Sequence, residues 1–230
     1  LGNFLKTKYI SYKDILPNNK AWTARIPYKN QDKEQVGYTN CTALSNGWVW
    51  NTPCHSRIGS GYVYSDKFTT DEKALEEFQS HIGEKDLEFK NIEFKTGVYS
   101  KIWNKNVVGI GLSAGFIEPL ESNGLYTIHE FLLALVKNIS KGFFNAWDRD
   151  CFNLTARNMY DTFASFVSSH YKMSCRDDSD YWKEVTEISV LRDEGELVPY
   201  VQGDFKTLHH GKMIAEGFDP GSGHPYIATA

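Results

Sequence analysis

Residues Asn106 to Leu125 read NVVGIGLSAGFIEPLESNGL, and the rest of the chain is organised around them. Val107-Val108-Gly109-Ile110 reads as a short buried strand. It empties into Gly111, Ser113, Ala114 and Gly115, small residues that let a backbone approach a ligand closely. Glu118 and Glu121 then flank Pro119 and Leu120 in an otherwise apolar loop, which closes at Gly124 and hands over to an amphipathic helix. Strand, glycine-rich turn and helix also form an ordinary connection, so plain architecture is one reading. Against it stands the cost of two carboxylates among Phe116, Ile117, Leu120 and Leu125. Buried charges need partners or a raised pKa, and such environments cluster at functional sites.

Outward from Gly124 toward the C-terminus, Ile128, Phe131, Leu132, Leu135, Val136 and Ile139 form one apolar helical stripe that Gly142 is placed to end. A second helix is expected from about Asn153 to Met173, with Ala156, Tyr160, Phe163, Val167 and Tyr171 facing inward. Ser174 to Asp180 is a polar break, Tyr181 to Val185 begins a short helix, and turns alternate with short segments from Glu194 onward. Toward the N-terminus, residues 88–100 have strand character with Gly97 in a turn, and Thr70 or Asp71 caps a helix bearing Ala74, Leu75, Phe78 and Ile82. The densest strand signal covers residues 36–68, where Asn46-Gly47 marks a tight turn before Trp48-Val49-Trp50-Asn51. Arg57 to Tyr64 makes a third strand there. Trp22, Ala24 and Ile26 alternate as in a half-buried strand, and Asn30 to Gln35 reads as a hairpin or solvent loop. The fold class is therefore α+β, an antiparallel or mixed sheet followed by a mainly helical part, divided at residue 125 into segments 1–125 and 126–230.

The chain has 230 residues with 25 Lys plus Arg against 29 Asp plus Glu, a net charge of -4. No basic cluster suggests a nucleic-acid partner. With 6 Trp, 13 Tyr and 14 Phe, the aromatic load is heavy for a chain that is 41% apolar, and aromatics line pockets for planar ligands as well as cores. Cys41, Cys54, Cys151 and Cys175 share no ligand-like spacing, so free thiols in a reducing, cytoplasmic setting and no metal site are expected. No stretch has the length of a membrane span or a signal-peptide core. The chain opens at Leu1-Gly2-Asn3-Phe4 without Met and closes on SGHPYIATA, as an excised piece, a natural fragment or a proteolytic remnant would.

Trp48 and Trp50 lie two apart on a strand and so share a face; they pack a core or wall a flat ligand. Arg57 reaches a phosphate or carboxylate, or makes a surface ion pair of little worth. Glu121 is the better candidate base, because Ser122 and Asn123 cap the following helix, whose N–H groups can hold an anion. Glu118, beside Pro119, reads as structural. His129, His170, His209, His210 and His224 show no metal-like pairing. Phe166, His170, Tyr171, Tyr181 and Trp182 fall close together in sequence and could stack on an indole or phenol.

GLSAGFIEPLESNGL together with WVWNTP resembles the flavin-dependent tryptophan halogenases, in which a W-x-W-x-I-P signature precedes G-F-x-E-P-L-E-S-T-G. Thr52 stands here where Ile is usual, and Asn123 where Thr is. SRIGSGYVYSDKF and HYKMSCRDDSDYW also look like the family, so the resemblance covers nearly the whole chain. It implies the C-terminal portion of a fold like the hydroxybenzoate-hydroxylase type of FAD monooxygenase, with residues 126–230 as a substrate-binding cap. It further implies reduced FAD supplied by a separate flavin reductase, a flavin hydroperoxide attacked by halide, and hypohalous acid reaching an aromatic substrate through a tunnel. Carried across, Glu121 assists loss of the ring proton, and Asn123 and Gly124 form the halide site. Gly111, Ser113, Ala114 and Gly115 lie against the flavin, and Trp48 and Trp50 shield it.

Two family features are absent from the sequence: the G-x-G-x-x-G dinucleotide fingerprint and the catalytic Lys, both belonging to an N-terminal FAD-binding portion. Three readings follow. The parent is a halogenase of indole- or phenol-like rings, a flavin monooxygenase without halide use, or a source of a non-catalytic binding module.

Overall fold

The computed structural model describes residues 1–188. The segments expected from Glu194 onward, with His209, His210 and His224, lie outside the described residues. The chain begins with α1 (Gly2–Leu5), β1 (Tyr9–Ser11), β2 (Lys20–Ile26), α2 (Gln31–Glu34), β3 (Asn40–Leu44), β4 (Gly47–Pro53) and β5 (Ile58–Tyr64). It continues through α3 (Asp71–Ile82), β6 (Phe89–Glu93), β7 (Gly97–Tyr99), β8 (Trp103–Asn104), β9 (Val107–Val108) and β10 (Gly115–Phe116). Helices α4 (Asn123–Ile139), α5 (Ala146–Lys172) and α6 (Asp180–Ile188) follow, and single 3-10 turns cover Gly111–Ser113 and Pro119–Glu121. The architecture is α+β, and every strand pair among the described residues is antiparallel.

By contact the described residues form two units that interleave along the chain. A sheet unit holds residues 17–95 and 175–184; a helical unit holds 1–16, 96–174 and 185–188. The sequence reading cuts the chain once, at residue 125. The interleaving arises because β7 pairs with β1, Tyr9 opposite Tyr99, which joins residues 96–104 to the N-terminus.

The sheet unit is a five-stranded sheet in the order β3-β4-β5-β2-β6. Ala24, Val49, Tyr62, Tyr64, Ala74 and Phe78 form a core cluster there that includes both sheet and α3 residues. Thr70, not Asp71, is the N-cap of α3, accepting from the Lys73 N–H. Asp71 opens the helix and receives Lys20 Nζ at 2.9 Å and the Tyr64 hydroxyl at 2.8 Å. The turn between β3 and β4 lies one residue earlier than expected: Leu44 opposes Gly47, so Ser45 and Asn46 make it. Gly47 is required by crowding, since a Cβ there would meet the Val63 carbonyl at 1.9 Å. Within residues 30–35, Gln31–Glu34 form α2, capped by Asn30, rather than a hairpin or loop.

The helical unit stacks the sheet β1-β7-β10 with α4 and α5. Gly97 sits within β7 instead of a turn; its φ is +152°, and a Cβ would lie 2.3 Å from the Ile10 carbonyl. The strand expected at residues 107–110 is shorter and less buried than its apolar run suggests. Val107 is 42% exposed, because β8 and β9 are a two-stranded ribbon turning at Lys105 and Asn106. Asn153 ties that ribbon to α5 by accepting from the Trp103 N–H at 2.8 Å and donating to its carbonyl at 2.9 Å. Helix α5 starts at Ala146, seven residues before the expected start, because Asn145 and Asp148 form a reciprocal capping box. The apolar stripe of α4 divides: Phe131 packs against Phe152 and Tyr160, whereas Leu132, Val136 and Ile139 are exposed among the described residues.

The Lys20 ammonium, followed by the Tyr64 hydroxyl, holds the Asp71 carboxyl below its ordinary range, and Asp71 raises Lys20 in return. A depressed carboxyl contributes stability that is present above its unfolded pKa, about 3.9, and is lost as pH falls through the lower folded value. Urea titrations should therefore find Asp71→Asn less stable than the native chain at neutral pH, with the gap closing on acidification. A gap that stays constant with pH would remove Asp71 as the cause.

Candidate functional site

The loop from Gly111 to Gly124 is held from two directions. Ser113 commits its hydroxyl to Ile110, accepting from the N–H and donating to the carbonyl, each at 2.8 Å. Gly111 has φ +62°, which favours glycine. Ala114 and Gly115 are buried, and Gly115 has an internal reason to be small. A Cβ there would come within 2.5 Å of the Gly97 carbonyl on the paired strand. The Gly115 carbonyl accepts from Tyr160 of α5 at 3.2 Å, and burial pushes that phenol up to about 12, keeping it a donor. Of the four small residues, Gly111 and Ser113 reach the surface.

The two carboxylates occupy opposite environments. Glu118 is 0% exposed and accepts from the Tyr171 hydroxyl at 2.6 Å. Three residues on, at the end of the Pro119–Glu121 turn, the Glu121 side chain is 39% exposed, and its Oε1 lies 2.8 Å from His170 Nε2. His170 Nδ1 lies 2.9 Å from the Phe166 carbonyl one turn back along α5. Sequence reasoning singled out both Glu121 and His170, yet missed that they meet. No spacing over 49 residues signals it.

Beyond Glu121 the chain enters α4 through Ser122, a non-glycine residue at φ +53°. The expected capping by Ser122 and Asn123 is absent: Ser122 stands at the N-cap but its side chain makes no cap hydrogen bond, and Asn123 lies inside the helix. Asn123 is instead the first helical residue, 4% exposed, and its side-chain Nδ2 has no hydrogen-bond partner among the described residues. Nothing lies within 4 Å of where a Cβ on Gly124 would be. Exposed helix N–H groups, a buried amide donor and open space beside a glycine suit an anion or the edge of a flat ring.

The remaining candidates separate by unit. In the sheet unit Trp48 and Trp50 share a face of β4, ring centroids 6.0 Å apart and tilted by 55°. The Trp50 ring lies over Gly61 of β5, where a Cβ would be 2.1 Å from its Cη2. Tyr181 and Trp182 belong to the same unit and are buried; Tyr181 packs edge-on to Phe68, and Trp182 donates to the Leu44 carbonyl at 2.7 Å. Arg57 is exposed in the turn between β4 and β5. In the helical unit Phe166 is buried and edge-on to His170, and Tyr171 is buried against Glu118. His129 is exposed beside Glu130. None of the four cysteines is in a disulfide. Among the described residues no group of His, Cys, Asp and Glu is placed to hold a metal, and no helix is long and apolar enough to cross a membrane.

Comparison with known proteins gives one family. The family model described as tryptophan halogenase matches residues 1–211. Tryptophan 7-halogenase KtzQ of Kutzneria sp. (strain 744) is 36% identical over 193 residues, covering 82% of this chain and 36% of the relative. Tryptophan 6-halogenase SttH of Streptomyces toxytricini is 35% identical over 219 residues, covering 88% of this chain and 42% of the relative. The SttH crystal structure superposes with a TM-score of 0.81 at 32% identity, over 87% of this chain and 39% of that one. The apo structure of VirX1 does so with a TM-score of 0.80 at 41% identity, over 88% and 38%. The chain thus spans well under half the length of these relatives.

The Glu118–Tyr171 contact makes a prediction about the chain alone. Tyr171→Phe removes one donor from a fully buried carboxylate. The variant should lose about 1–3 kcal/mol of stability, read as a lower denaturation midpoint. An unchanged midpoint would mean that the contact does not hold the loop.

Proposed function

This chain belongs to the tryptophan halogenase family, and we propose that its protein halogenates an aromatic ring, with Glu121 drawing off the ring proton and the donor end of α4 holding the halide. The observation that carries this reading is the adjacency of the two groups. A carboxylate engaged on one oxygen stands two residues before the uncapped start of a 17-residue helix.

Electrophilic attack on an aromatic ring forms a carbon–halogen bond and leaves a cationic ring intermediate. Loss of the ring proton returns the C–H electron pair to the ring and restores aromaticity. A carboxylate at Glu121 stabilises that cation and accepts the proton. With Oε1 turned to His170, Oε2 is the oxygen offered to substrate. Halide is held by the first N–H groups of α4 and by the Asn123 amide, beside the space at Gly124.

Dioxygen, activated by reduced FAD that a separate flavin reductase delivers, would supply the oxidising equivalents that turn halide into an electrophile. The residues here fit one end of such a cofactor: the exposed Gly111–Ser113 turn, backed by buried Ala114 and Gly115, beside the open N-terminus of α4. They do not supply the glycine fingerprint that holds a dinucleotide pyrophosphate. In this reading the fold is a C-terminal portion of the hydroxybenzoate-hydroxylase-like arrangement, with residues 126–230 contributing a substrate cap. By the family resemblance Trp48 and Trp50, of which Trp50 packs over Gly61, are the pair that shields the flavin. In the helical unit Phe166 and His170 border the substrate region, and indoles and phenols are the class they suit.

The test is Glu121→Gln in the full-length protein, assayed with several indoles and phenols. The variant keeps shape and loses the negative charge, so product formation should fall about a hundredfold, roughly 3 kcal/mol in barrier. Flavin reoxidation should change little. Undiminished product on every ring would remove Glu121 from the mechanism, and hydroxylated product from the native protein would favour a monooxygenase.

A further inference from the structure

We propose that His170 is the positioning residue for Glu121, selecting its rotamer and sharing one proton with it; this rests on the reading of Glu121 as the proton acceptor. A carbonyl oxygen can only accept, so the 2.9 Å contact with Phe166 assigns a proton to His170 Nδ1. Nε2 is then left facing a carboxylate oxygen at 2.8 Å. Two acceptors do not approach that closely without a proton between them. The pair therefore holds one proton there, as imidazolium against carboxylate or as neutral imidazole against carboxyl.

The two partners differ in how firmly they are held. His170 sits in the last turn of α5, where the helix dipole favours a cation. Both its ring nitrogens are engaged, and its ring meets Phe166 edge-on at 5.0 Å. Glu121 ends a single 3-10 turn and is more than a third exposed. A glutamate so placed would sample several rotamers in solvent, and His170 is what selects one of them. That contact occupies Oε1, turns Oε2 outward, and keeps a donor on the carboxylate as it receives the ring proton. One proton enters at Oε2 and one leaves the pair to solvent, which the His170 side chain, 27% exposed, can reach.

The closing experiment uses the full-length protein and two readouts. In 15N-histidine-labelled protein the His170 Nε2 resonance should shift on Glu121→Gln while Nδ1 stays protonated; no shift would mean the contact is not made. In turnover, His170→Phe should lower kcat about a hundredfold, as misplacement of a reacting group does, with flavin reoxidation near native values. His170→Gln keeps a donor for Glu121 and should recover part of that loss, at an unchanged Tm. Equal losses in both variants, or loss that tracks Tm, would overturn the positioning role in favour of plain packing. Native kcat in His170→Phe beside a disabled Glu121→Gln would overturn this inference alone. Native activity in Glu121→Gln would instead defeat the reading of Glu121 and this inference with it.

Discussion

The hydrogen bond from Tyr171 to the buried Glu118 carboxylate sets the phase between the loop and α5. A carboxylate with no solvent access stays in place only if its charge is met by donors, and the phenol meets it at 2.6 Å. With that contact made, the neighbouring geometry follows. Three residues along the loop Glu121 emerges, and one residue back along the helix His170 stands opposite it. A shift of the loop by one residue would break both contacts, so the buried pair stabilises and at the same time aligns the exposed one.

Backbone crowding does the same for the loop's other end. Gly115 on β10 and Gly97 on β7 press together more closely than any side chain would allow, and Tyr160 draws the Gly115 carbonyl onto α5. The glycine-rich run thus has two jobs that its composition does not distinguish. Gly115 serves strand pairing, and Gly111 serves a turn that reaches the surface. In the sheet unit the same logic applies at Gly61, whose missing Cβ is the space the Trp50 ring fills. The small residue there holds the large one in fixed orientation.

Charge follows a consistent division as well. Where carboxylates are structural they are tied to firm donors: Asp71 to Lys20 and Tyr64, Asp161 to Tyr12 and Arg157. Glu121 is tied on one oxygen to a histidine.

Local sequence was enough for the α+β class, the strands around Trp48 and Trp50, and helix α3 with Thr70 or Asp71 as its cap. All of these rest on local periodicity, caps and turn chemistry, which act over a few residues. Its motifs also carried the family. Tertiary structure decided the rest, because the deciding contacts lie far apart in the chain. Val107 is exposed despite its apolar run, since its ribbon has only two strands. Gly47 and Gly97 answer to carbonyls of neighbouring strands, not to their own turns. Asn123 is buried as the first helical residue and is therefore not the cap of α4. The pairing of Glu121 with His170 had no sequence signature at all: helical periodicity gives a residue's face, and only packing of the loop on α5 chooses what that face meets.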